Sequence, residues 1–344
     1  MDPRGFPTTL PEFQRVFPDD RACATYLERL RWPEQFDCPK CGVVGEPYRF
    51  DARPHVLRCR SCKADVSLLA GTVMQASHTP LSTWYWAAYL VTTQTPGQSA
   101  LQFQRQLGLT RYETAYMILQ KLRAGMVRPD RDTIGGEHHV EVDETLVGGR
   151  KGRHHKVYVL GAVEGRMRKT GEHASATGRE QHRDGKPVKR PYYAGRLRLQ
   201  LVSDRQAATC EGFVRENVAP KTNVRTDGWQ GYDRLGVMGY VHRPIVMADP
   251  AMNDAHLPLI HLVFSNLKAW ILGTHHGTSQ QHLQAYLNEY AFRFNRRFSP
   301  MTAFNSILGI GMKTIPPTYA ALYSGRWQHP GSQPQDPQTE MPFA

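Results

Sequence analysis

The sequence predicts the α/β fold class: a mixed-sheet core preceded by a small cysteine-built ribbon and a helical region. Three observations predict it. Four cysteines fall in two Cys-x-x-Cys pairs, Cys38/Cys41 and Cys59/Cys62, with seventeen residues between the pairs. Apolar residues recur at helical spacing through much of 67–130. From residue 137 the pattern changes to the alternation of strands, and helices return further along.

Residues 1–35 start without a clear period and then offer a helix over ACATYLERLRW, where Ala22, Tyr26, Leu27 and Leu30 share a face. The ribbon is expected over 36–66. Two Cys-x-x-Cys knuckles present four thiolates tetrahedrally, the closed geometry of structural Zn²⁺, and the stretch between them is long enough for a hairpin. Two disulfides are the alternative, but the sequence shows no N-terminal apolar run of an export signal. Cys23 and Cys210 are left as core thiols. A ribbon of this size holds a surface for nucleic acid or protein, so chemistry is expected further along.

The 344 residues carry 43 Lys and Arg against 31 Asp and Glu, a formal charge of +12, which favours a polyanionic partner such as double-stranded DNA. No stretch approaches the roughly 20 apolar residues of a membrane span. The sequence therefore predicts a soluble, cytoplasmic protein with no membrane partner.

In the helical region, Trp84, Trp86, Tyr89 and Leu90 mark a buried helix starting near Ser82, its aromatics read as core rather than as a base-stacking surface. Residues 98–126 then carry a short helix with Leu101, Phe103 and Leu107, the turn Gly108-Leu109-Thr110, and a second helix through Tyr112, Ala115, Leu119 and Leu122. Thr110 with Glu113 three residues on reads as a capping box. Helix, glycine turn and amphipathic helix make a helix-turn-helix, whose second helix would enter a major groove with Arg111, Gln120, Lys121 and Arg123 as polar contacts. An ordinary helical hairpin is the other reading.

The core is expected over 137–310. HHVEVDETLVGG, KVYVLGAVEG and RLRLQLVSD read as three successive strands, QAATCEGFVRENV as a helix, NVRTDG as a fourth strand and HRPIV as a further one. LPLIHLVFSNLKAWIL and HLQAYLNEYAFRFNRR read as helices. A polar, basic insertion over 166–195 is expected to be a mobile loop, and a Pro/Gln-rich tail over 326–344 to be disordered. Three strands, a helix, a fourth strand and further helices form the ribonuclease H-like order. Asp143 then falls mid-strand and Asp227 at the end of the fourth strand. Two carboxylates on neighbouring strands suit a shared Mg²⁺ or Mn²⁺, hard ions that take oxygen ligands. One turn Asp and one capped Asp would give the same spacing. Glu144 is expected on the opposite face of the strand from Asp143.

The run VDETLVGG, then RTDGWQGYD, then HLVFSNLKAWILGTHHG and AYLNEYAFRFNRR resembles a DDE-type insertion-sequence transposase, and the zinc ribbon narrows the resemblance to the ISXO-type group. The resemblance covers roughly residues 15–310. It implies a ribonuclease H-like core that nicks and joins transposon ends with two metal ions, with Asp143 and Asp227 as its first two catalytic carboxylates. In the common pattern a Glu on a helix is third, with a Lys two turns later. Here Lys268 matches that Lys, and the residue seven earlier is His261. His261 is the favoured third ligand and would shift preference toward Mn²⁺. Asn266 is the rival, on another face of the helix. Lys268 would meet the scissile phosphate, and Arg293, Arg296 and Arg297 would contact the backbone of DNA. The reading is a transposase that binds terminal inverted repeats and transfers strands, as a homodimer or larger assembly on DNA. A decayed, regulatory descendant and a structure-specific nuclease on the same fold are the alternatives.

Overall fold

The computed structural model describes residues 7, 9–128, 131–148, 156–167, 192–245, 257–314 and 317–323. Most of the basic insertion and the whole 326–344 tail lie outside the described residues. The described residues form two compact units, one of residues 7–128 with 288–323 and one of residues 131–287.

In the first unit, α1 (Leu10–Val16) and α2 (Asp20–Arg31) precede the ribbon, whose strands β1 (Tyr48–Arg49), β2 (Val56–Arg58) and β3 (Asp65–Ser67) pair antiparallel in that order. Helices α3 (Leu81–Thr93), α4 (Ala100–Gln106) and α5 (Tyr112–Ala124) follow. Thr9 caps α1 and Asp19 caps α2 through their side chains, as short polar residues do at helix starts. The start of α3 has no such cap of its own; Asp20, on α2, accepts the N–H of Ser82 at 2.9 Å instead. The core is aromatic: Phe13, Phe17, Tyr85 and Phe304 meet with ring centroids 4.8 to 5.8 Å apart. Trp84 is buried, and Trp86 and Tyr89 pack against the same cluster, so these rings are core, as expected. Gly108 turns α4 into α5 at φ +61°, the left-handed region where a side chain is strained.

The second unit is built on β4 (His139–Val147), β5 (Val157–Met167) and β6 (Tyr192–Val202), then α6 (Ala207–Asn217), β7 (Asn223–Thr226), a 3₁₀ turn (Gln230–Leu235), β8 (Val241–Pro244) and α7 (Pro258–His275). The sheet runs in the order β6-β5-β4-β7-β8. β6, β5 and β4 are antiparallel neighbours, while β7 lies parallel to β4 and β8 parallel to β7. Helices cover both faces, which is why β4 is buried at five successive positions, His139 to Asp143, rather than at alternate ones. On one face Val140, Val142, Leu160 and Ala162 pack on Cys210, Phe213 and Val214 of α6. On the other, Ile260 and Phe264 of α7 close over Gly161. This is the mixed α/β fold class expected from the sequence, a mixed sheet behind a four-cysteine ribbon.

Helix α8 (Gln280–Asn295) supplies residues to both units, and α9 (Pro300–Gly311) and α10 (Tyr319–Tyr323) complete the first. The sequence placed everything to residue 310 in the catalytic core. In the structure, Phe292, Ala303, Phe304, Ile307 and Leu308 join the hydrophobic core of the first unit instead. Their apolar spacing shows that they are buried but not against what. No helix among the described residues is long and apolar enough to cross a membrane.

Candidate functional site

The parallel pairing of β4 with β7 sets Val140 against Val224 and Glu141 against Arg225. Continuing that register by two residues puts Asp143 abreast of Asp227, the first residue past the end of β7. Carboxylate oxygens of Asp143, Glu144 and Asp227 all lie within 4.8 Å of one another. Glu144 is the member that sequence reasoning set aside. Strand alternation does hold: Asp143 faces α7, while Glu144 turns to the α6 side, where its Oε2 accepts from the Tyr232 hydroxyl at 3.0 Å and its Oε1 from Arg205 Nη1 at 3.2 Å. Opposite faces are nonetheless close here, because β7 has ended and Asp227 reaches into the gap.

The surroundings hold these carboxylates in place. Asp143 Oδ1 accepts the backbone N–H of Glu144 at 2.8 Å, and Asp227 Oδ1 accepts that of Trp229 at 2.9 Å. The Arg205 guanidinium lies 3.9 Å from the Trp229 ring centroid, and Trp229 Nε1 donates to the Arg205 carbonyl at 3.1 Å. Burial, followed by the charges of Asp143 and Asp227, raises the pKa of Glu144. Burial also raises that of Asp227, with Asp143 adding to the effect and the Trp229 N–H opposing it. A divalent cation would relieve the crowding that raises Glu144 and Asp227, and the donor set of the trio is all oxygen, as Mg²⁺ and Mn²⁺ prefer.

His261 projects from the first turn of α7, and its Nε2 meets Asp143 Oδ2 at 3.1 Å. It stands outside the trio. Two features of β4 and β5 bring α7 in so closely. Gly161, the partner of Asp143 on β5, has no side chain, and a Cβ there would fall 2.7 Å from Phe264. Glu141, two residues before Asp143, accepts the backbone N–H groups of Leu259 at 2.8 Å and Ile260 at 3.0 Å, closing the open N-terminus of α7. Asn266 and Lys268 are exposed further along the helix. Of the two candidates for the third position, it is therefore His261 that reaches Asp143.

The four ribbon cysteines form a second site. Cys38 Sγ is 3.8 Å from Cys62 Sγ, and Cys41 Sγ is 3.7 Å from Cys59 Sγ. That is far beyond a disulfide bond. It matches the edge of roughly 3.8 Å of a tetrahedron whose Zn–S bonds are about 2.3 Å. The two knuckles repeat one another: the N–H groups of Gly42 and Lys63 bond the carbonyls of Cys38 and Cys59 at 2.8 and 3.1 Å, and both turn residues have positive φ. The residues present fit zinc.

The expected DNA contacts are only partly on the surface. Arg111 is exposed at the start of α5, but Gln120, Lys121 and Arg123 are buried. Lys121 Nζ donates to the Gln75 carbonyl at 2.9 Å, and Arg123 Nε to Glu289 Oε2 at 2.8 Å. All three are corrected from groove contacts to buried positions, with Lys121 and Arg123 serving as internal ties. The amphipathic period of α5 hid this, because its last two turns are covered on all sides. The start of α5 also differs from expectation: Arg111 is the N-cap, without a side-chain bond, and Thr110 makes no capping box. Arg293 is likewise committed, donating to the carbonyls of Gln94 and Thr95 at the end of α3. Arg296 and Arg297 are half-buried and lie over the rings of Phe292 and Phe294.

Residues 125–295 match the family model of the ISXO2-like transposase domain, and residues 18–65 match that of the transposase zinc-ribbon domain. No curated protein and no solved structure matches the chain. The two matched domains, in this order and on this fold, identify the chain as a member of the ISXO2-like family of DDE transposases.

Proposed function

We propose that this transposase binds the terminal inverted repeats of its element and carries out metal-dependent strand cleavage and strand transfer at the cluster of Asp143, Asp227 and their neighbours. The observation that supports this most directly is the oxygen-lined trio within 4.8 Å, set between parallel strands of a matched transposase domain. Asp143 and Asp227 would hold the divalent ions, with His261 beside Asp143. When bound, Mg²⁺ or Mn²⁺ supplies the charge that activates a water or a 3′ hydroxyl and stabilises the leaving oxygen.

The protein's own residues do the positioning. The Trp229 N–H fixes one oxygen of Asp227, and the Glu144 N–H fixes one of Asp143, leaving the second oxygen of each directed elsewhere. Lys268, exposed on α7, would meet the phosphate of the scissile strand. The zinc ribbon and the exposed first turn of α5, with Arg111, Tyr112 and Glu113, form the surfaces proposed to read the ends, since a recognition helix contacts bases through its N-terminal residues. Arg296 and Arg297 are proposed as backbone contacts. Joining two ends to a target requires a homodimer or larger assembly on DNA, and the proposed setting is the cytoplasm.

Cleavage of labelled element-end DNA with Mg²⁺ or Mn²⁺ tests this reading. Wild type should nick the end, while Asp143→Asn and Asp227→Asn should bind it and leave it whole. Full cleavage by both variants would overturn the assignment. Nicking without strand-transfer products would favour a nuclease on the same fold.

A further inference from the structure

We propose that Glu144 is the third carboxylate of the catalytic metal site, supplied by the strand rather than by helix α7. This rests on the metal-dependent reading above. The helix position that would otherwise carry an acid holds His261, which meets Asp143 and lies outside the trio. Without Glu144 the site has two carboxylates, and with it three.

The geometry fits. Oxygens on opposite sides of an ion held at 2.0–2.1 Å stand about 4.2 Å apart. The three oxygens here lie within 4.8 Å, a spread that small side-chain rotations can close. Glu144 is held for such a role rather than left to move. Its side chain is 8% exposed, and each of its oxygens accepts one hydrogen bond, from Tyr232 and from Arg205, which leaves lone pairs on both. Its supports are also those of Asp227: Arg205 packs on Trp229, whose backbone N–H holds Asp227. One small framework of Arg205, Trp229 and Tyr232 therefore fixes the separation between two of the three acids. Arg205 pairs with Glu144, and the trio runs from buried Asp143 through half-buried Glu144 to exposed Asp227, so the cluster opens toward solvent at Asp227. A purely structural Glu144 would need only Arg205 and Tyr232, and would gain nothing from lying beside Asp143 and Asp227.

Mn²⁺ binding to the zinc-loaded full-length protein tests the proposal. Affinity is read by calorimetry, and the hydration of the bound ion by water-proton relaxation. Glu144→Gln keeps the size and one acceptor oxygen. It should weaken Mn²⁺ binding at least tenfold and raise the relaxation enhancement per bound ion, as water takes the place of the lost carboxylate. Arg205→Ala, which removes a support but no ligand, should weaken binding less and leave the hydration unchanged. His261→Ala should fall between wild type and Glu144→Gln. Wild-type affinity and hydration in Glu144→Gln would overturn the proposal, as would equal effects of Glu144→Gln and Arg205→Ala on both readouts. If Asp143→Asn also bound Mn²⁺ like wild type, the metal-site reading itself would fall, and this proposal with it.

Discussion

The carboxylate of Glu141 accepts the backbone N–H of Ile260 at 3.0 Å, so the strand that carries Asp143 also holds the helix that carries His261. Glu141 is two residues from Asp143, and Ile260 immediately precedes His261. The Asp143–His261 contact thus rests on a clamp between the same two elements. Burial raises the Glu141 pKa to about 7 even though the helix N–H groups oppose the shift, so the clamp is held in a dry environment.

Removing the clamp with Glu141→Ala should leave the N–H groups of Leu259 and Ile260 buried without an acceptor. The expected cost is about 1–3 kcal/mol of stability. End cleavage should fall further than end binding, since DNA recognition is proposed to lie in the other unit. Thermal melts read beside binding and cleavage assays check this. An unchanged cleavage rate would show that α7 is held by packing alone.

Gly161→Ala probes the same contact from β5. A methyl group there would fall 2.7 Å from Phe264 and 2.9 Å from Ile260, so the helix must lift or the core must shift. Overpacking of this kind costs about 1–3 kcal/mol. Cleavage should drop, and a second change, Phe264→Leu, should restore part of the stability by making room. Melting temperatures of the single and double variants provide the comparison.

Acid sensitivity should follow Glu164. This buried β5 carboxylate accepts from the backbone N–H groups of Gly135 and Arg196, both at 3.0 Å, and from the side chains of Arg196 and Arg166, both at 2.9 Å. Burial alone would raise its pKa; the bonds from Arg196, Gly135 and Arg166 bring it from the ordinary 4.5 down to about 2. A depressed folded value means that the unfolded chain binds the proton more tightly. The stabilisation is therefore complete above about pH 4.5 and is lost as the pH falls toward 2. It amounts to about 3 kcal/mol at neutral pH. Glu164→Gln should lose most of it at pH 7 and show a flatter stability profile between pH 5 and 2, read by urea melts.

The ribbon should carry about one zinc per chain, set by its four thiolates. Cys38→Ser or a strong chelator should release it and unfold the ribbon, because three short strands bury too little to stand without the metal. Elemental analysis with circular dichroism checks this, and a metal-free yet fully folded wild type would overturn it.

Much of this fold is legible along the chain. The alternation through β4 to β6, the helical periods of α6 and α7, and the paired cysteines are local patterns that need no knowledge of their partners. Asp143 and Asp227 could be singled out because a carboxylate within or just after an apolar run stands out, whereas His261 came only from the resemblance, as the residue seven before Lys268. Glu144 could not be singled out, because the pleat of a strand sends neighbours to opposite faces, and nothing local reveals that β7 ends beside it. The roles of Arg123, Lys121 and Gln120 were misread for a related reason: a polar residue on a helix looks solvent-facing until the partner that buries it is known, and the partner of Arg123 is Glu289, 166 residues away.

What the sequence by itself determined is everything carried by spacing: the ribbon knuckles, the strand and helix order, the two aspartates, and the family those blocks resemble. What only the tertiary structure decided is which side chains meet across that order. It gathers Glu144 into the acidic cluster, sets Glu141 at the end of α7, and turns α9 toward the core of the first unit. The physical reason is that periodicity records how strongly a residue is drawn out of water. The partner it finds there depends on contacts between segments far apart in the chain, which no local pattern encodes.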